Sequence, residues 1–368
     1  MRSVPVPDAA VLTMRSGHEL RYAHGASVGR GYTVDPGVDP MQLRSRWAGS
    51  LLPALFAGAL VPGAAGVGCR STTATPTPPR PTVRLATGLP GGGFNQTGAY
   101  FQSEFSRLLP DLTVEIAETR GAIDNVEAIE RGEADLALTY ADVAYLAVSG
   151  RLEGHQVPFR NLAAVAVLPT AALHILASPT SRIVAIGQLQ GRHIGFGGPT
   201  RSGSAMTARL VMDAFGLTAD ARGLDNASFD RATRELSTGA LDGYLQMGQP
   251  PVAWVGRALA GGVRLVPLSP AQVQSLVSRY QFLRPFVLRP TDYAELTSSV
   301  QTVGVEGLLV CRRDLGTELV FRLTRAFFEM ERRPEVTGEI PWRDARALAT
   351  PIALHDGAAR YARERSLR

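Results

Sequence analysis

Gly91, Gly92 and Gly93 stand in a row within LATGLPGGGFNQTGAYF, between the apolar run 83–86 and an amphipathic stretch. Glycines that feed a helix let a ligand approach the backbone closely. The first helical turn leaves its amides unpaired beside the positive end of the helix dipole. Residues of this kind hold a small anion such as a carboxylate, and they need no lysine to do so. Nucleotide chemistry fails on residue type. From Gly93 the loop keeps the two P-loop glycine positions, but Ala99 and Tyr100 stand where Lys and Ser/Thr are required. A dinucleotide fingerprint from Gly91 needs a glycine where Gln96 stands. Taken alone, the glycines leave a plain tight turn as the alternative.

Catalytic groups are harder to assemble. Ser202 and Ser204 sit in a second glycine loop, GGPTRSGS, without a histidine partner, and His193 falls in a strand. Asp135, Asp142 and Asp242 could form a carboxylate set, but Asp135 and Asp242 recur at matched places, which favours a structural role at a strand start. Glu306 lies in an apolar strand, either lining a hinge or meeting a backbone partner, and Cys311 reads as a small core residue. No nucleophile, base and orienting group emerge together, so the chain is not expected to be an enzyme. All 38 basic residues are arginine, which excludes a P-loop lysine, a Schiff-base lysine and a lysine base. The arginines are scattered, which argues against a nucleic-acid groove. The six histidines lack metal-ligand spacing, so neither a metal nor another cofactor is expected.

One α/β pattern occurs twice. The first copy runs strand (83–87), glycine loop, helix (98–109), strand (112–117), helix (123–131) and GEADLALTYADVA. The second runs strand (193–196), glycine loop, helix (205–215), strand (219–223), helix (229–236) and GALDGYLQMGQPPVA. Phe101, Phe105, Leu108 and Leu109 follow helical spacing, as do Phe229, Ala232 and Leu236. Gly132 and Gly239 fall just past their helices, where a left-handed cap suits glycine. NLAAVAVLP and ALHILASP read as two apolar strands crossing between lobes, and VGVEGLLVCRRDL reads as a third. Alternating strands and helices imply mostly parallel sheets, with ligands beyond the strands' carboxyl ends. Both glycine loops lie at that edge and should face each other across a cleft.

The first residues suggest export. Residues 1–40 show no periodicity, and Met41 is expected to be the true start. From there Arg44 and Arg46, the apolar run 51–61 and small residues up to Cys69 have the layout of a secretory signal spanning 41–69. Cys69 after Gly68 is a candidate lipidation site that would anchor the protein to the membrane; ordinary cleavage near Ala65 is the alternative. A Thr/Pro spacer occupies 70–82.

LATGLPGGGFNQTGAYF, TRGAIDNVEAIERGEADLALTYADVAY, HIGFGGPTRSGSAMTARLVMDAFGL, VGVEGLLVCRRDL and IALHDGAARYARE, in that order, resemble the TAXI-type solute receptors of TRAP transporters. The resemblance implies a two-lobed type II periplasmic-binding fold with hinge strands. It also implies capture of a small organic anion, glutamate or another carboxylate, and delivery to an ion-gradient-driven permease. On that reading lobe 1 is 83–170 plus 300–368 and lobe 2 is 171–299, in a periplasmic monomer. Gly92, Gly93, Phe94 and Asn95 would hold the ligand from lobe 1, and Ser202, Gly203, Ser204 and Thr207 from lobe 2. Arg120 and Tyr140 would set charge and shape, with Gln246 at a strand end near the cleft. The chain departs from the family at Arg120-Gly121-Ala122, at Tyr140, at Phe94-Asn95, at Asp356 and in a longer second loop around Thr200 and Arg201. Arg120 or Arg201 could clamp a carboxylate bidentately; either could equally be a loop charge. A receptor for an ATP-driven importer, or a ligand sensor for a membrane kinase, remains the alternative on the same fold.

Overall fold

The computed structural model describes residues 80–198, 202–218, 220–223, 229–331 and 348–367. The chain divides into two units, Met1–Ala74 and Thr75–Arg368, and every described residue belongs to the second. The signal-like segment, Cys69, most of the spacer, Thr200 and Arg201 lie outside the described residues.

Short apolar runs bounded by glycine and aspartate form the first strands: β1 (Thr82–Ala86), β2 (Thr113–Ala117) and β3 (Leu136–Tyr140). Helices α1 (Gly93–Leu108) and α2 (Ala122–Glu130) connect them, and α3 (Ala141–Val148) follows β3 directly. After the long β4 (Leu162–Ala177) the pattern repeats as β5 (His193–Phe196), α4 (Gly203–Ala214), β6 (Asp220–Gly223), α5 (Phe229–Thr238) and β7 (Gly243–Gly248). Then come α6 (Ala253–Ala260), β8 (Arg264–Leu265), α7 (Pro270–Arg279), β9 (Leu283–Leu288), β10 (Val300–Arg312), α8 (Thr317–Glu329) and α9 (Asp356–Glu364).

The strands join one sheet in the order β2-β1-β3-β10-β4-β7-β5-β6, with β8 on β4 and β9 on β10. Within each half, the strands linked by helices are parallel. Antiparallel β10 and β4 join the halves at the centre. This is the α/β architecture that the alternating pattern implies. Phe101 and Phe105 of α1 are fully buried, and Phe101 meets Phe327 of α8 edge-on at 5.9 Å. Each such ring contributes roughly 1.5–3 kcal/mol by leaving water, so α8 is held against the first half although it follows β10.

The matched aspartates act as the repeat suggests. Asp135 accepts from Arg84 N at 2.8 Å and donates its own N–H to Arg84 O, while Asp242 does the same with His193 at 3.1 Å. Each ties the start of one strand to its parallel neighbour. Gly132 and Gly239 adopt φ of +71° and +77°, the left-handed caps their positions require. Glu306 pairs with Arg284 at 3.7 Å.

Three features differ from the sequence reading. Helix α1 begins at Gly93 rather than Gly98, because its first turn carries one apolar residue, the half-buried Phe94, and periodicity becomes visible only at Phe101. GEADLALTYADVA divides at Tyr140 into a strand and a helix. NLAAVAVLP and ALHILASP form the single strand β4, 16 residues long, which passes straight through Pro169. Opposite it, Gly307 pairs with Leu168 and Glu306 with Thr170, so an irregularity skips the proline. Its missing N–H therefore costs no ladder bond.

Candidate functional site

Helix starts gather where the two halves of the sheet meet. Gly92 caps α1 with an extended backbone, and the amides of Gly93, Phe94 and Asn95 find no acceptor among the described residues. Gly121 caps α2, and Ala122, Ile123 and Asp124 present their amides in the same way. In the second half Ser202 caps α4, accepting from Ala205 N at 3.1 Å and donating to Gly197 O at 2.7 Å. Gly203 and Ser204 keep their amides unpaired among the described residues. Each of these turns carries the positive end of a helix dipole.

Tyr140, the residue before α3, is the point on which they converge. Its ring lies 4.7 Å from that of Phe94. A Cβ added at Gly203 would stand 2.8 Å from Tyr140 Cδ2 and 2.9 Å from Ala122 Cβ. Only glycine lets α4 approach so closely. Beside this contact Thr207 Oγ1 lies 2.5 Å from Asp142 Oδ2, and Arg209 pairs with Glu153 at 3.0 Å, so polar bonds also tie one half to the other. The start of α4 thus packs against the turns that open α2 and α3, and α1 joins them through Phe94.

Electrostatics at the junction are uneven. Asp142 is fully buried; Thr207 and Val143 N donate to its carboxylate, yet burial raises its pKa to about 6. Burial pushes the Tyr140 hydroxyl up as well, with Asp142 adding to the effect. Arg120 is exposed and grips Asp124 with two nitrogens, at 2.7 and 3.1 Å, the i,i+4 pairing its spacing allows. Among the described residues no three of His, Cys, Asp and Glu gather closely enough to hold a metal ion.

Behind these turns Asn125 is completely buried. Its Nδ2 donates to Thr87 O and, at 2.6 Å, to Leu138 O, while its Oδ1 accepts from Thr119 Oγ1 at 2.6 Å. It thereby ties the residue after β1 to the middle of β3 and to the approach to α2. Asn125→Ala strands two carbonyls and a hydroxyl, so urea unfolding is expected to show a loss of about 2–4 kcal/mol. Asn125→Asp should be worse, because a carboxylate oxygen would then face carbonyl oxygens.

Residues 85–365 match the NMT1-like family. The chain belongs to the NMT1-like family. Two solved structures share its fold. One, described as a periplasmic transporter, is 14% identical and superposes with a TM-score of 0.50 over 79% of this chain and 94% of its own. The other, the periplasmic binding protein BugD, is 12% identical with a TM-score of 0.50 over 78% of this chain and 96% of its own. The two-lobed periplasmic-binding fold is thus the fold of this NMT1-like chain.

Of the residues singled out by sequence, Phe94, Tyr140 and Gly203 meet in the junction, with Gly93 and Asn95 in the adjoining turn. Gly92 spends its N–H on Leu89 O at 3.0 Å. Ser202 caps its own helix, Ser204 Oγ accepts from Met247 N at 2.8 Å, and Thr207 reaches Asp142. Gln246 is buried on β7 against Gly197. Sequence reasoning missed Asn125 and the pairing of Asp142. A trace of Asn125 was available, since it is a polar residue on the stripe of Ala122, Val126 and Ile129 that α2 buries.

Proposed function

We propose that this NMT1-like protein is an extracytoplasmic solute receptor of the TAXI type. It closes on a small carboxylate and delivers it to a TRAP-type permease. Lobes 83–170 plus 300–368 and 171–299 close about β4 and β10, and Cys69 anchors the chain by lipid. One observation carries the reading: the first turns of α1, α2 and α4 meet around Tyr140 and Gly203 with amides that find no acceptor among the described residues. Such amides favour an anion, and closure strengthens each bond by removing water. A ligand that bridges both lobes shifts the population toward the closed form.

Thermal melting of the full chain with amino acids, dicarboxylates, keto acids, neutral sugars and amines tests this. A bound carboxylate at a hundred times its Kd adds about 2.7 kcal/mol, which raises Tm by several degrees. Stabilisation by sugars or amines and by no carboxylate would reject the reading. Uptake in vesicles holding the receptor and its permease should follow an ion gradient and not require ATP.

A further inference from the structure

Three buried side-chain atoms among the described residues have no hydrogen-bond partner: Thr87 Oγ1, Gln246 Oε1 and Trp254 Nε1. Two of them stand at equivalent strand ends. Thr87 directly follows β1, and Gln246 lies against Gly197, which directly follows β5. Gln246 is 8% exposed, and its orientation is set by its own amide, because Nε2 donates to Met247 O. That leaves Oε1 as the atom turned toward Gly197 at the end of β5. A Cβ placed on Gly197 would lie 1.8 Å from Gln246 Oε1 and 2.6 Å from Ser204 Oγ, so glycine makes the room that the amide fills. Ser204 belongs to the first turn of α4, and its hydroxyl already accepts from Met247 N.

A buried acceptor without a donor costs free energy unless something supplies one. The neighbouring amides of Gly203 and Ser204 would hold a carboxylate, and a carboxylate offers no proton to Oε1. We infer that Gln246 Oε1 receives a hydrogen bond from a hydroxyl or amino group next to the ligand's carboxylate, which makes Gln246 the residue that selects α-hydroxy and α-amino acids. A 2-oxo acid would turn an oxygen toward Oε1, and an unsubstituted acid would leave it unpaired. Sites built around a hydrogen-bonding partner reject analogues that lack it far better than apolar pockets reject a missing methylene. The inference rests on the carboxylate reading above and sharpens it.

Matched acids test it on the full chain by calorimetry: lactate, propionate and pyruvate; malate, succinate and oxaloacetate; 2-hydroxyglutarate or glutamate, glutarate and 2-oxoglutarate. In the series that binds, the hydroxy or amino member should bind about tenfold or more tightly than the unsubstituted acid, with the oxo acid weakest. Gln246→Met keeps length and removes the acceptor, so the hydroxy and unsubstituted acids should then differ by less than about twofold. Equal binding of the three members by the wild type overturns the inference and leaves the carboxylate reading standing. So does discrimination that survives in a folded Gln246→Met protein. Binding of none of these acids overturns both. Should the variant fail to melt cooperatively, the wild-type ranking decides alone.

Discussion

Ligand affinity is expected to fall about tenfold as the pH rises from about 5 to about 7.5, and Asp142→Asn should flatten that slope. Asp142 is buried at the junction, where Thr207 of the other half closes over it. No cation pairs with it among the described residues; its bonds come from Thr207 and Val143 N. Burial outweighs those bonds and lifts the pKa from 3.8 to about 6. A pKa raised above the ordinary carboxylate value means that the packed junction prefers the protonated acid. The stabilisation is complete below the usual carboxylate value and is lost as the pH rises through about 6. Over the whole window it is worth about 3 kcal/mol.

The hydrogen-bond count agrees with this direction. Thr207 has one hydroxyl proton and two acceptors in reach, Asp142 Oδ2 at 2.5 Å and Gly203 O at 3.0 Å. Only a protonated Asp142 allows both contacts to be made. His174 responds in the opposite sense. It is buried in β4, its Nε2 meets Tyr293 Oη at 2.8 Å, and burial lowers its pKa to about 4. Its contribution is present above the ordinary histidine value and is lost as the pH falls toward about 4. Among the described residues His174 makes no bond between the halves, so it should appear in global unfolding and not in closure. Calorimetric affinities and a fluorescence distance between the lobes, followed across the window with a ligand that does not itself titrate there, separate the two. A flat wild-type profile would reject the role of Asp142.

Gly203→Ala should lower ligand affinity by about 10–100-fold while leaving the melting temperature nearly unchanged. The added Cβ meets Tyr140 Cδ2 at 2.8 Å and Ala122 Cβ at 2.9 Å, both in the other half. Ala122 cannot turn away, since its Cβ is fixed to the α2 backbone. Overpacking of this kind costs about 1–3 kcal/mol. On the proposed closure about β4 and β10, the least costly relief is to open the halves, which stretches the bond from Thr207 to Asp142 and removes one side of the ligand's contacts. Affinity falls with the population of the closed form. The α4 helix itself gains, because alanine is the better helix former. Small-angle scattering should find the variant expanded with ligand present. Adding Ala122→Gly, which removes one of the two clashes, should restore part of the affinity. Wild-type affinity in Gly203→Ala would mean that this contact does not limit closure.

Sequence alone determined the elements whose causes are local. The strands 83–86 and 193–196, the caps at Gly132 and Gly239 and the repeated aspartates follow from alternation, from φ preference and from a carboxylate beside a strand's first amide. It also placed both glycine loops at one edge, because parallel strands alternating with helices leave no other arrangement. Tertiary structure alone decided the partners. That Tyr140 seats against Phe94 and Gly203, that Thr207 turns to Asp142 and that Asn125 bonds to carbonyls of Thr87 and Leu138 depend on residues apart in the chain. Pro169 passes through β4 only because it is the extra residue there, skipped by the pairing of β4 with β10. A residue's type states which hydrogen bonds and how much room it needs; which distant residue meets that need is settled only when the two halves pack together.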